Sequence, residues 1–329
     1  MAIQVTDLHL LRDQLLLRRE KLEAAVARSQ TANMVQLLEQ VDKALEQVAI
    51  GSFGVCEACQ GTVEAPRLLA DPLARVCLDC LKPSEQRALE QDLELAARIQ
   101  AGLLPGQDLS AAGWRVSYHY EPAGLVSGDY CDVMAHGKDL YFMVGDVSGK
   151  GVAASMMMAN LHAMFRVLVP TGLPVPQLVE RANRIFSEST LPNQYATLIY
   201  GRASECGEVE ICNGGHLPPF HISSAGVNTI QSSALPVGMF HDQEFLSTKV
   251  NFSPGDSLVI YTDGFTESAG ADGTEYGAPR LGRLLASRHG HGSRQLVDAC
   301  VNDLLSFRAS SQRIDDQTLM VLQFSPVQH

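Results

Sequence analysis

Tyr141-Phe142-Met143-Val144-Gly145-Asp146-Val147-Ser148-Gly149-Lys150-Gly151 is an apolar run that ends in a carboxylate and a glycine-rich turn. Residues 140–144 read as a buried strand, and residues 152–168 beyond the turn carry apolar side chains at helical spacing. Three further aspartates have comparable surroundings. Asp129 stands in Ser127-Gly128-Asp129-Tyr130-Cys131-Asp132, Asp263 in Tyr261-Thr262-Asp263-Gly264, and Asp315 in Asp315-Asp316-Gln317-Thr318. Strand-like runs at 116–120 and 258–261 precede Asp129 and Asp263, and one at 318–324 follows Asp315. Carboxylates at strand ends converge on one rim of a sheet, and their mutual repulsion calls for hard cations. The pattern predicts a two-metal hydrolytic site. Asp-Gly and Gly-Asp are also ordinary turn dipeptides, so one motif decides little; four together favour the site.

Composition narrows the class. The 329 residues suit about two domains. A hydrophobic content of 46% with no uninterrupted apolar stretch long enough to span a bilayer predicts a soluble globular protein without a membrane segment. The amino terminus lacks a cleavable signal pattern, which predicts a cytoplasmic location. Net charge is −12, and neither the first 106 residues nor the remainder is basic. That argues against nucleic acid as a partner.

The four-cysteine pattern is the second strong signal. Cys56-x2-Cys59 and Cys77-x2-Cys80, separated by a short segment, have the spacing of a four-thiolate zinc site. Disulfides are the competing reading, but nothing in the sequence points to an oxidising compartment. Cys131, Cys206, Cys212 and Cys300 show no ligand spacing and read as buried thiols.

Around this motif the chain divides into a helical amino-terminal segment (1–50), the finger (51–83), a linker helix (84–106) and a larger domain (107–329). Leu8, Leu11, Leu15 and Leu22 share one helical face; Met34, Leu38, Val41, Leu45 and Val48 share another, with a break at 29–33. The two helices can form an antiparallel hairpin or dimerise. Leu89, Leu93, Ala96, Ile99 and Leu103 form a stripe along the linker, suited to a lever or a homodimer contact, before Pro105 and Gly106 end it. Strands are expected at 116–120, 140–144, 196–201, 209–213, 219–222, 257–261 and 318–324, and helices at 152–168, 175–189 and 295–308. This is an α+β pattern in which sheets pack together under a cover of helices.

Two resemblances follow from the wording of these motifs. Ile50-Gly51-Ser52-Phe53-Gly54-Val55-Cys56-Glu57-Ala58-Cys59, with Pro66 through Cys80, resembles the DksA/TraR zinc finger over residues 44–85. It implies one structural zinc on Cys56, Cys59, Cys77 and Cys80. Members of that family contact RNA polymerase through a coiled coil with an acidic tip, whereas residues 29–33 here are uncharged.

Downstream, six ordered motifs resemble the SpoIIE/RsbU branch of the PPM-type serine/threonine phosphatases. They are Pro122 to Asp132, Gly145 to Gly151, Asn213-Gly214-Gly215-His216-Leu217-Pro218-Pro219, Leu235 to Gly238, Tyr261 to Glu267 and Asp315 to Thr318. Residues 94–105 are similar to that branch's regulatory linker helix. The resemblance implies an α-β-β-α sandwich with two manganese or magnesium ions held by Asp129, Asp146, the Val147 carbonyl, Asp263 and Asp315. It further implies a water nucleophile attacking a phosphoserine or phosphothreonine protein, with a STAS-domain antagonist of an anti-sigma factor as substrate in partner switching. Ser127 replaces a glycine of that branch, which predicts a shifted loop under Asp129.

Four more residues are candidates. His216 can serve as a general acid or can satisfy backbone groups in its turn. Lys150 can touch phosphate at the start of the following helix or can remain a solvated turn residue. Asp132 and Asp316 read as partners behind the metal ligands or as solvent-facing, with the roles of Asp315 and Asp316 exchangeable. The alternative function is a zinc-finger adaptor or RNA polymerase-binding regulator on an inactive phosphatase scaffold. A scaffold has no chemical need for clustered negative charge, which favours the enzyme. A finger that senses an upstream redox or zinc signal is compatible with it.

Overall fold

The computed structural model describes residues 5–28, 32–191, 194–231, 234–308 and 315–326. The chain divides into two compact units, Met1–Asp92 and Leu93–His329, with the division inside one helix.

In the first unit, helices α1 (Val5–Arg28) and α2 (Ala32–Ala49) pack as a hairpin. Leu15, Val41 and Ala44 are its buried seam, with Leu22, Leu45 and Val48 beside them, and Arg19 pairs with Asp42 at 2.9 Å. Residues 29–31 of the expected break lie outside the described residues. Leu11 leaves the seam and packs instead on Cys56, Val63, Leu68 and Cys77. The hairpin therefore lends the finger a core that its own short chain lacks. Helix α3 (Ala65–Ala70) lies between the two cysteine pairs, and α4 (Pro83–Ala101) follows the second. Helix α4 stops short of the expected residue 106. Its end tightens at Gly102, a poor helix former, with Leu103 N–H donating to the Gln100 carbonyl at 3.0 Å.

The second unit is two antiparallel sheets face to face. One comprises β1 (Leu109–Ala111), β2 (Trp114–Glu121), β7 (Phe220–Ser223), β8 (Gly226–Thr229), β10 (Ser257–Tyr261) and β11 (Gln317–Phe324), in the order β1-β2-β11-β10-β7-β8. The other comprises β3 (Asp129–His136), β4 (Asp139–Val147), β5 (Ala196–Ser204), β6 (Glu208–Gly214) and β9 (Ser247–Asn251), in chain order. Val116, Met320, Leu322 and Ile260 of the first sheet meet Val133, Phe142, Val144 and Ile199 of the second in the central core. Helices α5 (Val152–Leu168) and α6 (Val175–Ser189) cover one outer face through Met158, Leu161, Phe165 and Phe186. Helices α8 (Ala278–Ala286) and α9 (Ser293–Phe307) cover the other through Leu281, Leu285, Leu296 and Leu304. The layers run α, β, β, α. Helix α5 is apolar enough by composition to cross a membrane, but Met157, Met158, Leu161, Met164 and Phe165 are spent on the core.

Several expectations change. The strand expected ahead of Asp129 is present as β2, but Asp129 itself opens a further strand, β3, that was not expected: residues 129–133 are buried on both faces, so no polar-apolar alternation marks it. Strands β1, β8 and β9 are short or exposed and give little periodic signal. Cys131, Cys212 and Cys300 are buried as expected, whereas Cys206 is exposed, because it lies in the turn between β5 and β6.

Asp132 is not beside the other aspartates. Three residues beyond Asp129 on one strand, it points to the opposite face. There its carboxylate takes a bidentate pair from Arg166 of α5, with Arg166 Nε at 2.8 Å, and accepts the Tyr130 hydroxyl at 2.9 Å. Arg166→Ala leaves this buried carboxylate without its cation. We expect a loss of about 2 kcal/mol, reduced from a fully buried pair because Arg166 is partly exposed. Urea unfolding checks it: a midpoint within error of the parent chain would show that Tyr130 and solvent suffice.

Candidate active site

The aspartates converge at one end of the sandwich, drawn from both sheets. Asp129 and Asp146 are direct cross-strand partners on β3 and β4. Like charges placed this way destabilise a sheet. Asp129 is 1% exposed, and its Oδ2 accepts the hydroxyls of Thr318 at 2.6 Å and Thr262 at 2.8 Å. Thr318 lies on β11 of the opposite sheet and Thr262 directly follows β10 beside it, where Thr318 N–H donates to Thr262 Oγ1 at 3.0 Å. Two hydroxyls thus tie the first aspartate across the core.

Asp263 follows β10 at the start of a single helical turn, α7 (Asp263–Thr266), and Asp315 precedes β11. The two segments touch at Gly264. A Cβ there would lie 2.0 Å from the Asp316 carbonyl and 3.0 Å from Asp315 Cβ, so only glycine lets the aspartates approach. Lys150, in the turn before α5, pairs with Asp315 at 2.8 Å. It is an ion-pair partner of the cluster rather than a purely solvated turn residue.

Electrostatics record the crowding. Burial first, then the charge of Asp146, pushes the Asp129 carboxyl well above its usual range, against the two threonine hydrogen bonds. Burial, then Asp263 and Asp315, pushes Asp146 up to about 7. Asp263 is raised by burial and then by Asp315. Lys150 offsets part of this charge at Asp146 and Asp263 but does not outweigh the burial and repulsion that raise them. An all-oxygen donor set of this kind suits hard divalent cations such as manganese or magnesium. The Val147 carbonyl oxygen passes close to Gly128, the residue before Asp129, 3.0 Å from where a Cβ there would sit.

The backbone at Ser127 lies in a region open to any residue, so serine meets no conformational strain there. Ser127 is fully buried, and its Oγ accepts the Asp129 N–H at 3.0 Å. Its own backbone is gripped by Gln100 near the end of α4. Gln100 Nε2 donates to the Ser127 carbonyl at 2.7 Å, and Ser127 N–H donates to Gln100 Oε1 at 2.9 Å. Asp316 turns away from the cluster onto backbone N–H groups of the same loop.

His216 is a core histidine. It is 4% exposed; Nε2 faces the Tyr261 carbonyl at 3.1 Å, so Nδ1 accepts the Thr197 hydroxyl at 2.7 Å. Burial pulls its pKa down to about 4, against the Tyr261 carbonyl. The neutral ring joins β5 to β10 and has no free nitrogen for proton transfer.

Thr262, Thr318 and Gln100 are not singled out by the sequence, and Ser127 is singled out only as a departure from glycine. A hydroxyl beside a motif aspartate in an apolar strand was the available signal, because a buried hydroxyl needs a partner.

In the first unit, the sulfurs of Cys56, Cys59, Cys77 and Cys80 lie within 4.8 Å of one another, and no cysteine is disulfide-bonded. Cys56 Sγ accepts the Cys77 N–H at 3.4 Å. N–H groups of Cys77 and then Cys59 draw the Cys56 thiol down to about 6. Cys80 is pushed to about 12 by its neighbours, Cys77 foremost. Four sulfurs gathered this closely fit a tetrahedral zinc ion.

Comparison with known proteins agrees with both regions. The family model for stage II sporulation protein E (SpoIIE) matches residues 136–325, and that for the prokaryotic dksA/traR C4-type zinc finger matches residues 51–86. The chain is 26% identical to protein IcfG of Synechocystis sp. over 261 residues, covering 70% of this chain but only 41% of IcfG. It is 25% identical to the phosphoserine phosphatase RsbU of Bacillus subtilis over 245 residues, covering 72% of this chain and 71% of RsbU. Among solved structures, the RsbU and RsbW domains of a Mycobacterium tuberculosis protein align with TM-score 0.57 and 27% identity, over 68% of this chain and 63% of that one. The SiaA-PP2C domain of Pseudomonas aeruginosa shares the fold at TM-score 0.65 and 19% identity, over 73% of this chain and 98% of that domain.

Proposed function

Since the chain belongs to the SpoIIE family, we propose that it is a signalling phosphatase that hydrolyses phosphoserine or phosphothreonine on a protein. The observation that carries this reading is the crowding of Asp129, Asp146, Asp263 and Asp315 at one end of two sheets, where burial and mutual repulsion raise the carboxyl pKa values of Asp129, Asp146 and Asp263. Asp129, Asp146 and the Val147 carbonyl would hold one manganese or magnesium ion, and Asp263 and Asp315 the second. Bound there, two such ions lower the pKa of a water and clamp phosphoryl oxygens.

The protein's own part is positioning. Thr262 and Thr318 fix the Asp129 carboxylate, Gly264 lets the Asp263 and Asp315 segments meet, and Lys150 offsets charge at Asp315. The substrate we assign is a STAS-domain antagonist of an anti-sigma factor, a reading supported by the similarity to RsbU. The finger, holding one zinc, would dock or sense an upstream partner.

Gln100 is the residue through which α4 grips the loop below Asp129. Gln100→Ala removes both hydrogen bonds to Ser127. We expect turnover to fall about tenfold or more, as for outer-shell partners of metal ligands. Steady-state assay of full-length protein checks it; unchanged turnover would make the grip incidental.

The function itself is tested by hydrolysis of a small aryl phosphate and a phosphoserine peptide by full-length, zinc-loaded protein, with manganese added or withheld. Turnover of both substrates that requires manganese or magnesium is the expected result. Turnover indifferent to either ion would refute the two-metal reading.

A further inference from the structure

We infer that Asp316 is the positioning residue that keeps the two halves of the metal site at a fixed spacing, an inference that rests on the two-metal reading above. Asp316 is 8% exposed, and both of its carboxylate oxygens are taken by backbone. Oδ1 accepts the Ala123 N–H at 2.7 Å and Oδ2 accepts the Gly128 N–H at 2.8 Å. This separates it from Asp315, whose Oδ2 is on Lys150 and which lies against Gly264 beside Asp263.

The consequence runs through Gly128. Its N–H is held by Asp316, and its carbonyl accepts the Val147 N–H at 3.3 Å. A Cβ at Gly128 would stand 3.0 Å from the Val147 carbonyl oxygen and 3.2 Å from Ala154 Cβ, so the backbone is pressed against both. The next residue is Asp129. One dipeptide therefore supplies a carboxylate to the Asp263 half and ties down the backbone that presents the Asp129 and Val147 oxygens. Asparagine at 316 keeps one acceptor and sets an N–H donor against a backbone N–H; alanine keeps neither bond.

The test uses full-length, zinc-loaded protein freed of manganese. Asp316→Asn, Asp316→Ala and Asp263→Asn are compared with the parent chain by calorimetric manganese titration and by manganese electron paramagnetic resonance. Thermal melting of each metal-free protein establishes that it is folded. The parent is expected to bind two ions with an exchange-coupled spectrum. Both Asp316 variants are expected to fold, to bind manganese at least about tenfold more weakly, with alanine the worse, and to show isolated-ion spectra. Asp316→Ala that is folded and retains parental affinity and coupling overturns the inference alone. A parent chain that binds no manganese overturns it together with the two-metal reading. Should the alanine variant fail to fold, Asp316→Asn decides by the same criterion.

Discussion

Asp263→Asn is expected to lower manganese-dependent phosphate hydrolysis by about a thousandfold, the equivalent of about 4 kcal/mol of transition-state stabilisation. The residue opens the short helical turn after β10 and is coupled by charge to Asp315. Asparagine keeps the shape and one oxygen but removes the negative charge that holds the cation. The effect on stability has the opposite sign in metal-free protein. Asp146, held near pH 7 by burial and by Asp263 and Asp315, binds its proton more tightly folded than unfolded. Such a group costs stability as pH rises from about 4 to about 7. Removing the Asp263 charge eases this cost, so the metal-free variant should melt at or above the parent temperature near neutral pH. Added manganese should raise the melting temperature of the parent and hardly move that of the variant. Turnover within about threefold of the parent would remove Asp263 from the site.

The second large effect belongs to the finger. Cys77→Ser, or removal of zinc by a chelator, should unfold the segment between the cysteine pairs. The Cys77 side chain is buried against Leu11, Cys56, Val63 and Leu68, a cluster too small to stand on its own. Structural zinc in small modules contributes about 10–16 kcal/mol of binding free energy, which here is also folding free energy. We expect one zinc per chain by elemental analysis of the parent and little in Cys77→Ser. Limited proteolysis should then cut within residues 51–83 while residues 107–329 resist. A zinc-free chain that resists cleavage in the finger would show that the Leu11 contact suffices.

The limits of sequence reading are visible in particular residues. The period of apolar side chains placed α5 and α6 at their observed ends, because a helix that buries one face repeats that requirement every turn. The cysteine spacing picked out the four thiols that the structure gathers, because two tight turns are local structures. Strand β3 was missed because it is buried on both faces, and with it went the parity that sends Asp132 to Arg166. His216 drew attention by its chemistry; burial and two hydrogen bonds make it structural.

From sequence alone came the four aspartates, the zinc-ligand spacing and most of the helices and strands, since each is written in residues near one another along the chain. Tertiary structure alone decided how the site is held. Thr318 reaches Asp129, Asp316 reaches Gly128 and Gln100 reaches Ser127 across long stretches of chain. Local periodicity tells a side chain which way to face. Which partner waits there depends on how two sheets and a helix pack, and that is a property of the whole core.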